Sequence, residues 1–217
     1  INLTNWINKR LINNFHRTTN VIYYDVTNFF FEIDEPDDFD SLRKMGVSKE
    51  NRKQPIVQMG LFMDEQGIPI SIESFPGNTL DHLTMQKSLK NTVDGLNLDR
   101  FIFVGDRGMY KGDNTYYLVN KNNGYIISKS LEKTAKEEKL WAFDPFGYTI
   151  VSKDFKYKSH IVKRKVKVAD EYKEITEKVI VYFSKKFYDK QMHQNKSFLE
   201  FIEKLKISPD SFKITKT

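Results

Sequence analysis

The stretch Val21–Ile33, VIYYDVTNFFFEI, constrains this chain more than any other. Val, Ile, Tyr and Phe dominate it and neither Gly nor Pro interrupts it, which is the composition of a β-strand. At a period of two, Val21, Tyr23, Asp25, Thr27, Phe29 and Phe31 share one face, while Ile22, Tyr24, Val26, Asn28, Phe30 and Glu32 share the other. Both faces are largely apolar, so the run is expected to be a central strand covered on both sides. Asp25 is out of place there. Burying a carboxylate unpaired costs several kcal/mol, so a protein cation, a bound metal or edge water should compensate it.

The flanking segments follow from local chemistry. Residues 1–16 carry Leu3, Trp6, Ile7, Leu11, Ile12 and Phe15 at helical spacing, and the expectation is an amphipathic helix packed on its own domain. Glu32–Asp40 is an acidic, Pro-containing cluster read as a solvated loop, and Arg43–Lys53 a basic piece with a short helix and a loop. Ile56–Ser74 reads as a hairpin turning at Glu65-Gln66-Gly67, with Pro69 marking its second arm as an edge strand. PGNTLD closes the hairpin; Asn78 or Thr79 caps the next helix, Asp81 falls in its first turn, and Met85, Leu89 and Val93 recur at four-residue spacing up to the Gly95 region. Phe101–Val104 is a compact apolar run stopped by GDRG, which places Asp106 at the carboxyl end of a strand. As a motif GDRG is equally a simple turn.

Beyond these, Asn114–Asn120 reads as a short helix and Gly124–Ser130 as a strand. From Leu131 to about Tyr182 short β-like runs alternate with Lys-rich turns, which suggests an inserted antiparallel subdomain. Within it Lys153–Lys167 interleaves basic residues with Phe155, Tyr157 and His160, a pattern suited either to a nucleic-acid backbone or to a solvated hairpin face. Helical spacing returns from Ser184, with Phe198, Leu199, Ile202 and Leu205 as an apolar stripe, and SPDSF stops it. The domain plan is therefore 1–130 for the core, 131–183 for the insertion and 184–217 for a helical return.

Several chemistries are excluded. The chain of 217 residues has no Cys, so disulfides and thiolate metal sites are out and a cytoplasmic protein is the expectation. No run approaches the roughly 18 apolar residues of a spanning helix, so no membrane partner is expected. The opening residues show no signal-peptide core. His16, His82, His160 and His193 have no zinc-site spacing, and no GxxxxGK[ST], GxGxxG or GxSxG occurs. The net charge of +6 permits a polyanionic partner. Asp25 and Asp106, each in a strand-forming context, remain as a carboxylate pair suited to Mg²⁺ or Mn²⁺ and to in-line phosphoryl transfer.

YYDVTNFFFE, PGNTLDHLT and FVGDRGMY, in this order and spacing, resemble successive blocks of the DDE transposases of bacterial insertion sequences, in particular the 1634-type branch of the insertion-sequence-four superfamily. The resemblance covers residues from about 10 to 215. It implies an α/β, RNase H-like fold: a mixed five-stranded sheet flanked by helices, with a β-rich insertion after the strand that follows the second Asp. It implies catalytic, metal-binding roles for Asp25 and Asp106 with Mg²⁺ or Mn²⁺. It also implies DNA transposition on double-stranded DNA, both transposon ends and target, by a homodimer when complete. DNA contacts are expected from Arg107, Lys156, Lys158, Lys163, Arg164 and Lys165. The family's third acid lies in a Tyr-x2-Arg-x3-Glu-x6-Lys pattern that is absent here; Glu200 and Glu203 have no Tyr or Arg at the required offsets. The expectation is a chain truncated before that acid and lacking the DNA-end-binding region, hence inactive alone. Two alternatives stand beside it: a non-catalytic nucleic-acid-binding remnant and an RNase H-like metal-dependent nuclease.

Overall fold

The structure, a computed structural model, describes residues 3–33, 41–46, 54–96, 98 and 100–208. Most of the acidic cluster, residues 47–53 of the basic piece, the Val93 and Gly95 side chains and the SPDSF stop after Ser208 lie outside the described residues. The first part of the chain runs α1 (Leu3–Phe15), β1 (Val21–Phe30), β2 (Ile56–Met63), β3 (Pro69–Pro76), α2 (Asp81–Leu96) and β4 (Ile102–Gly105). A 3₁₀ turn (Arg107–Met109), α3 (Gly112–Asn120) and β5 (Gly124–Ile127) complete it. A second 3₁₀ turn (Leu131–Lys133) is followed by α4 (Lys136–Phe143), β6 (Thr149–Ser152), β7 (Phe155–Val168), β8 (Glu171–Ser184), α5 (Lys185–Gln194) and α6 (Lys196–Ile207).

The strands form a mixed five-stranded sheet in the order β3-β2-β1-β4-β5 and a separate three-stranded sheet, β6-β7-β8. β1 pairs antiparallel with β2 and parallel with β4, and β4 pairs parallel with β5. This is the α/β sheet that the RNase H-like resemblance implies, with β1 at its centre and the β-rich segment entering after β5. β3 is an edge, as Pro69 foretold, and Gly67 supplies the positive φ of +80° in the turn before it.

One expectation fails. β1 is covered on a single face: Ile22, Tyr24 and Val26 are buried, while Tyr23, Asp25, Thr27 and Phe29 are exposed. The core gathers on the covered side, where Phe62, Ile70, Met85, Leu89, Phe103, Met109 and Leu118 join the buried residues of β1. The open side also shows Ile72, Ile102 and Ile126 to solvent. Asp25 is therefore not a buried charge, and the desolvation argument for a compensating cation does not apply to it. Its interest is positional.

α1 also differs from its reading. Leu3, Trp6, Ile7 and Phe15 are exposed, and the residue the helix buries is Asn8. Asn8 donates from Nδ2 to the Ile70 carbonyl at 2.7 Å and accepts from an Arg17 guanidinium nitrogen. Arg17 Nε donates to Asp64 Oδ2 at 2.7 Å, and its NH2 group donates to the carbonyls of Ile68 and Pro69, both at 2.8 Å. Asp64 Oδ1 in turn accepts from the backbone N–H of Gln66 and Ile68. A buried charge pair with its polar atoms partnered holds where an isolated one would not.

The chain divides into two compact units, residues 1–134 with 164–175, and residues 135–163 with 176–217. The distal part of the β7–β8 hairpin thus belongs with the first unit. In the second, α4 was not foreseen among β-like runs. KEEKLWAF contains no β-branched residue, and Glu137 and Glu138 in its first turn suit the helix dipole. Among the described residues, no helix is long and apolar enough to cross a membrane.

Candidate nucleic-acid site

The geometry of the site starts from one register. Across the parallel ladder Val21, Ile22, Tyr23 and Tyr24 face Ile102, Phe103, Val104 and Gly105. Asp25 and Asp106 are the next residues on each side. Neighbouring strands lie about 4.8 Å apart and side chains alternate, so both aspartates occupy the same level and the same, uncovered face of the sheet. Asp106 leaves β4 in extended conformation, φ −76° and ψ 177°, and its Oδ1 accepts the Gly108 N–H at 2.9 Å, which fixes the exit turn. Both carboxylates are exposed.

A third carboxylate, unmarked in the sequence reading except as a helix-start residue, borders this corner. A Cβ placed on Gly108 would lie 3.1 Å from Asp106 Oδ1 and 3.6 Å from Asp81 Oδ2. The only local signal for Asp81 was its dipole-favoured position in α2. Even so, among the described residues no three His, Asp or Glu side chains are grouped to hold an ion. Carboxylate oxygens are the ligand type that Mg²⁺ and Mn²⁺ take, commonly one or two from the protein with water and substrate phosphate completing the shell.

The expected DNA contacts scatter. Arg107 immediately follows Asp106 and is exposed. Lys163 and Lys165 are exposed on one face of β7, while Arg164 on the other is half-buried. Lys158 does not fit the role. It is 5% exposed, its ammonium donates to the carbonyls of Asp144 at 2.6 Å and Phe146 at 3.2 Å, and it lies over the rings of Trp141 and Tyr148. Lys156 is half-buried over Tyr148 and Phe183. Trp141 also stacks on His160 with centroids 3.9 Å apart. Within 153–160, Lys158 and in part Lys156 are thus spent on rings of the second unit itself, because cations and rings attract each other as readily within a protein as across an interface.

No family model and no curated protein matches the chain. Among solved structures it is similar to a piggyBac transposase synaptic complex with hairpin DNA, at 10% identity over 78% of this chain and 34% of that one, TM-score 0.42. It is also similar to a Mos1 transposase paired-end complex with left transposon end, at 18% identity over 57% and 39% of the two chains, TM-score 0.30. A Mos1 mariner paired-end complex with Mn gives 17% identity over 56% and 40%, TM-score 0.31. The chain spans well under half the length of these structures, and likenesses this distant leave the functional question to the residues themselves.

Proposed function

We propose that this chain is catalytic-domain sequence of a DDE-type transposase, acting by Mg²⁺- or Mn²⁺-dependent phosphoryl transfer on the double-stranded DNA of transposon ends and target, as a homodimer when complete. The reading is supported by the parallel register of β1 and β4, whose last pair, Tyr24 and Gly105, directly precedes Asp25 in mid-β1 and Asp106 at the exit of β4, with both aspartates exposed. Three sequence blocks in family order point the same way. Asp25 and Asp106 would hold the ion. When bound, it supplies Lewis-acid activation of the attacking oxygen and stabilisation of the leaving one. Arg107, exposed beside Asp106, offers a planar donor fork to a phosphate that reaches the carboxylates. Lys163 and Lys165 offer sequence-independent backbone contacts. Asp106, tied to the Gly108 N–H, meets its ligand with one oxygen already oriented.

The test is DNA affinity in Ca²⁺ against EDTA at matched ionic strength, for wild type, Asp25→Asn and Asp106→Asn. Wild type should gain about tenfold, ~1.4 kcal/mol, from the ion bridging carboxylates and phosphate. Each variant should lose that gain and keep its metal-free affinity. An equal gain in all three proteins refutes the shared site. Salt-sensitive binding with no ion effect in any of them favours a non-catalytic nucleic-acid-binding module.

A further inference from the structure

A cavity of about 460 Å³ opens in the first unit, lined by His82 of α2, by Tyr110, Lys111, Gly112 and Asp113 around the start of α3, and by Arg164 and Lys167 of β7. That volume lies within the roughly 300–1,000 Å³ of small-ligand sites. Two cationic residues, Lys111 and Arg164, line it with one carboxylate, Asp113, whose Oδ1 is engaged by the Ala169 N–H at 3.1 Å, while Lys167, on the opposite face of β7 from Arg164, brings its backbone against Gly112. Burial, followed by the charge of Lys111, lowers the pKa of His82 below its ordinary 6.5 against the opposing charges of Asp81 and Asp113.

The walls are fixed rather than loosely apposed. Buried Asn114 donates from Nδ2 to the carbonyls of His82 at 3.1 Å and Met109 at 3.0 Å, and accepts from Gln86 Nε2 at 2.9 Å, which locks α2 to α3. Gly112 lets β7 close in: a Cβ there would sit 2.5 Å from the Lys167 carbonyl oxygen and 3.1 Å from Val166 Cβ. The first turn of α3 has no side-chain cap hydrogen bond, and Asp113 within that turn offsets part of the positive end of its dipole. His82 is next in sequence to Asp81, whose carboxylate borders Asp106.

We propose that this cavity is a subsite for one nucleotide of the bound strand, its phosphate held by Lys111 and Arg164. The assignment to a strand rests on the function proposed above; the phosphate chemistry does not. A preformed pocket with a net positive lining and an aromatic wall at Tyr110 suits a phosphorylated, ring-bearing unit better than a bare anion.

The experiment uses the full chain in EDTA, so that the aspartate site plays no part. Binding of a short DNA duplex, of thymidine 5′-monophosphate and of thymidine is measured for wild type, for Lys111→Gln/Arg164→Gln, and for a control, Lys190→Gln/Lys204→Gln, with exposed lysines elsewhere. The cavity variant should bind duplex at least tenfold more weakly at low salt, with its salt slope reduced by about 1.8, or ~0.9 for each lost phosphate contact. The control should change less than threefold. Equal losses in the two double variants overturn the proposal, and so does tighter binding of the free monophosphate than of the duplex. Thymidine binding as well as the monophosphate also overturns it. Retention of the cavity effect in Asp25→Asn, with the Ca²⁺ gain absent from wild type, would sink the catalytic reading alone.

Discussion

Tyr24 stands opposite Gly105 across the parallel β1–β4 ladder, and this register delivers Asp25 and Asp106 to one level of the sheet. The two are not equivalent, because Asp106 also accepts the Gly108 N–H at 2.9 Å. Asp106→Ala should cost about 1 kcal/mol more stability than Asp25→Ala, and Asp106→Asn, which keeps an acceptor, should recover most of that difference. Chemical denaturation of the variants measures it; equal losses for the two alanines would contradict the turn's role.

Arg17 and Asp64 are both almost fully buried and joined at 2.7 Å. Arg17→Met should lower stability by about 3–5 kcal/mol, since it strands a buried carboxylate. Adding Asp64→Leu should return part of the loss, because the second change removes the orphaned charge. A single-variant cost below about 1 kcal/mol would show that the network does not anchor α1 to the β2–β3 turn.

Tyr24 gives a pH prediction. Burial raises its pKa above the ordinary 10.0, against the opposing hydrogen bond of its hydroxyl to Thr84 Oγ1 at 2.8 Å. With the folded pKa above the unfolded one, the associated stability is fully present below about pH 10 and is lost as pH rises through the folded value. Denaturation midpoints should therefore fall steeply above pH 10 in wild type and less steeply in Tyr24→Phe. Parallel curves would contradict the assignment.

Lys158 and the pair Lys163/Lys165 should separate stability from binding. Lys158→Gln should destabilise by about 1–3 kcal/mol, as its ammonium serves two carbonyls, and leave the salt dependence of DNA binding unchanged. Lys163→Gln/Lys165→Gln should leave the melting temperature in place and reduce the salt slope by up to about 1.8. The reverse pattern would return Lys158 to the DNA surface.

The contrast between these lysines shows what local sequence encodes. β1, the β2–β3 hairpin, α2 and the GDRG exit were legible because period-two alternation, turn glycines and first-turn acids act within a few residues. The single-sided cover of β1 was not, since Tyr23 and Phe29 are as apolar as the buried Ile22 and Val26. Nor could Asn8 be known as the buried member of α1, because its partners Ile70 and Arg17 are supplied by other segments. The same holds for Lys158, which reads as a surface cation until Trp141 and Tyr148 close over it. The aspartates were readable one by one, Asp25 as a carboxylate inside a strand and Asp106 as one at a strand end. Asp81 and the cavity between Lys111 and Arg164 were not, being products of long-range packing.

The central claim, that Asp25 and Asp106 share one divalent ion, is tested most directly by counting bound Mn²⁺ by electron paramagnetic resonance in wild type, Asp25→Asn and Asp106→Asn, with folding verified by circular dichroism. The account predicts one site in wild type whose affinity falls at least tenfold in each single variant and no further in the double. Undiminished Mn²⁺ binding in either single variant, or independent additive losses in the double, would contradict it.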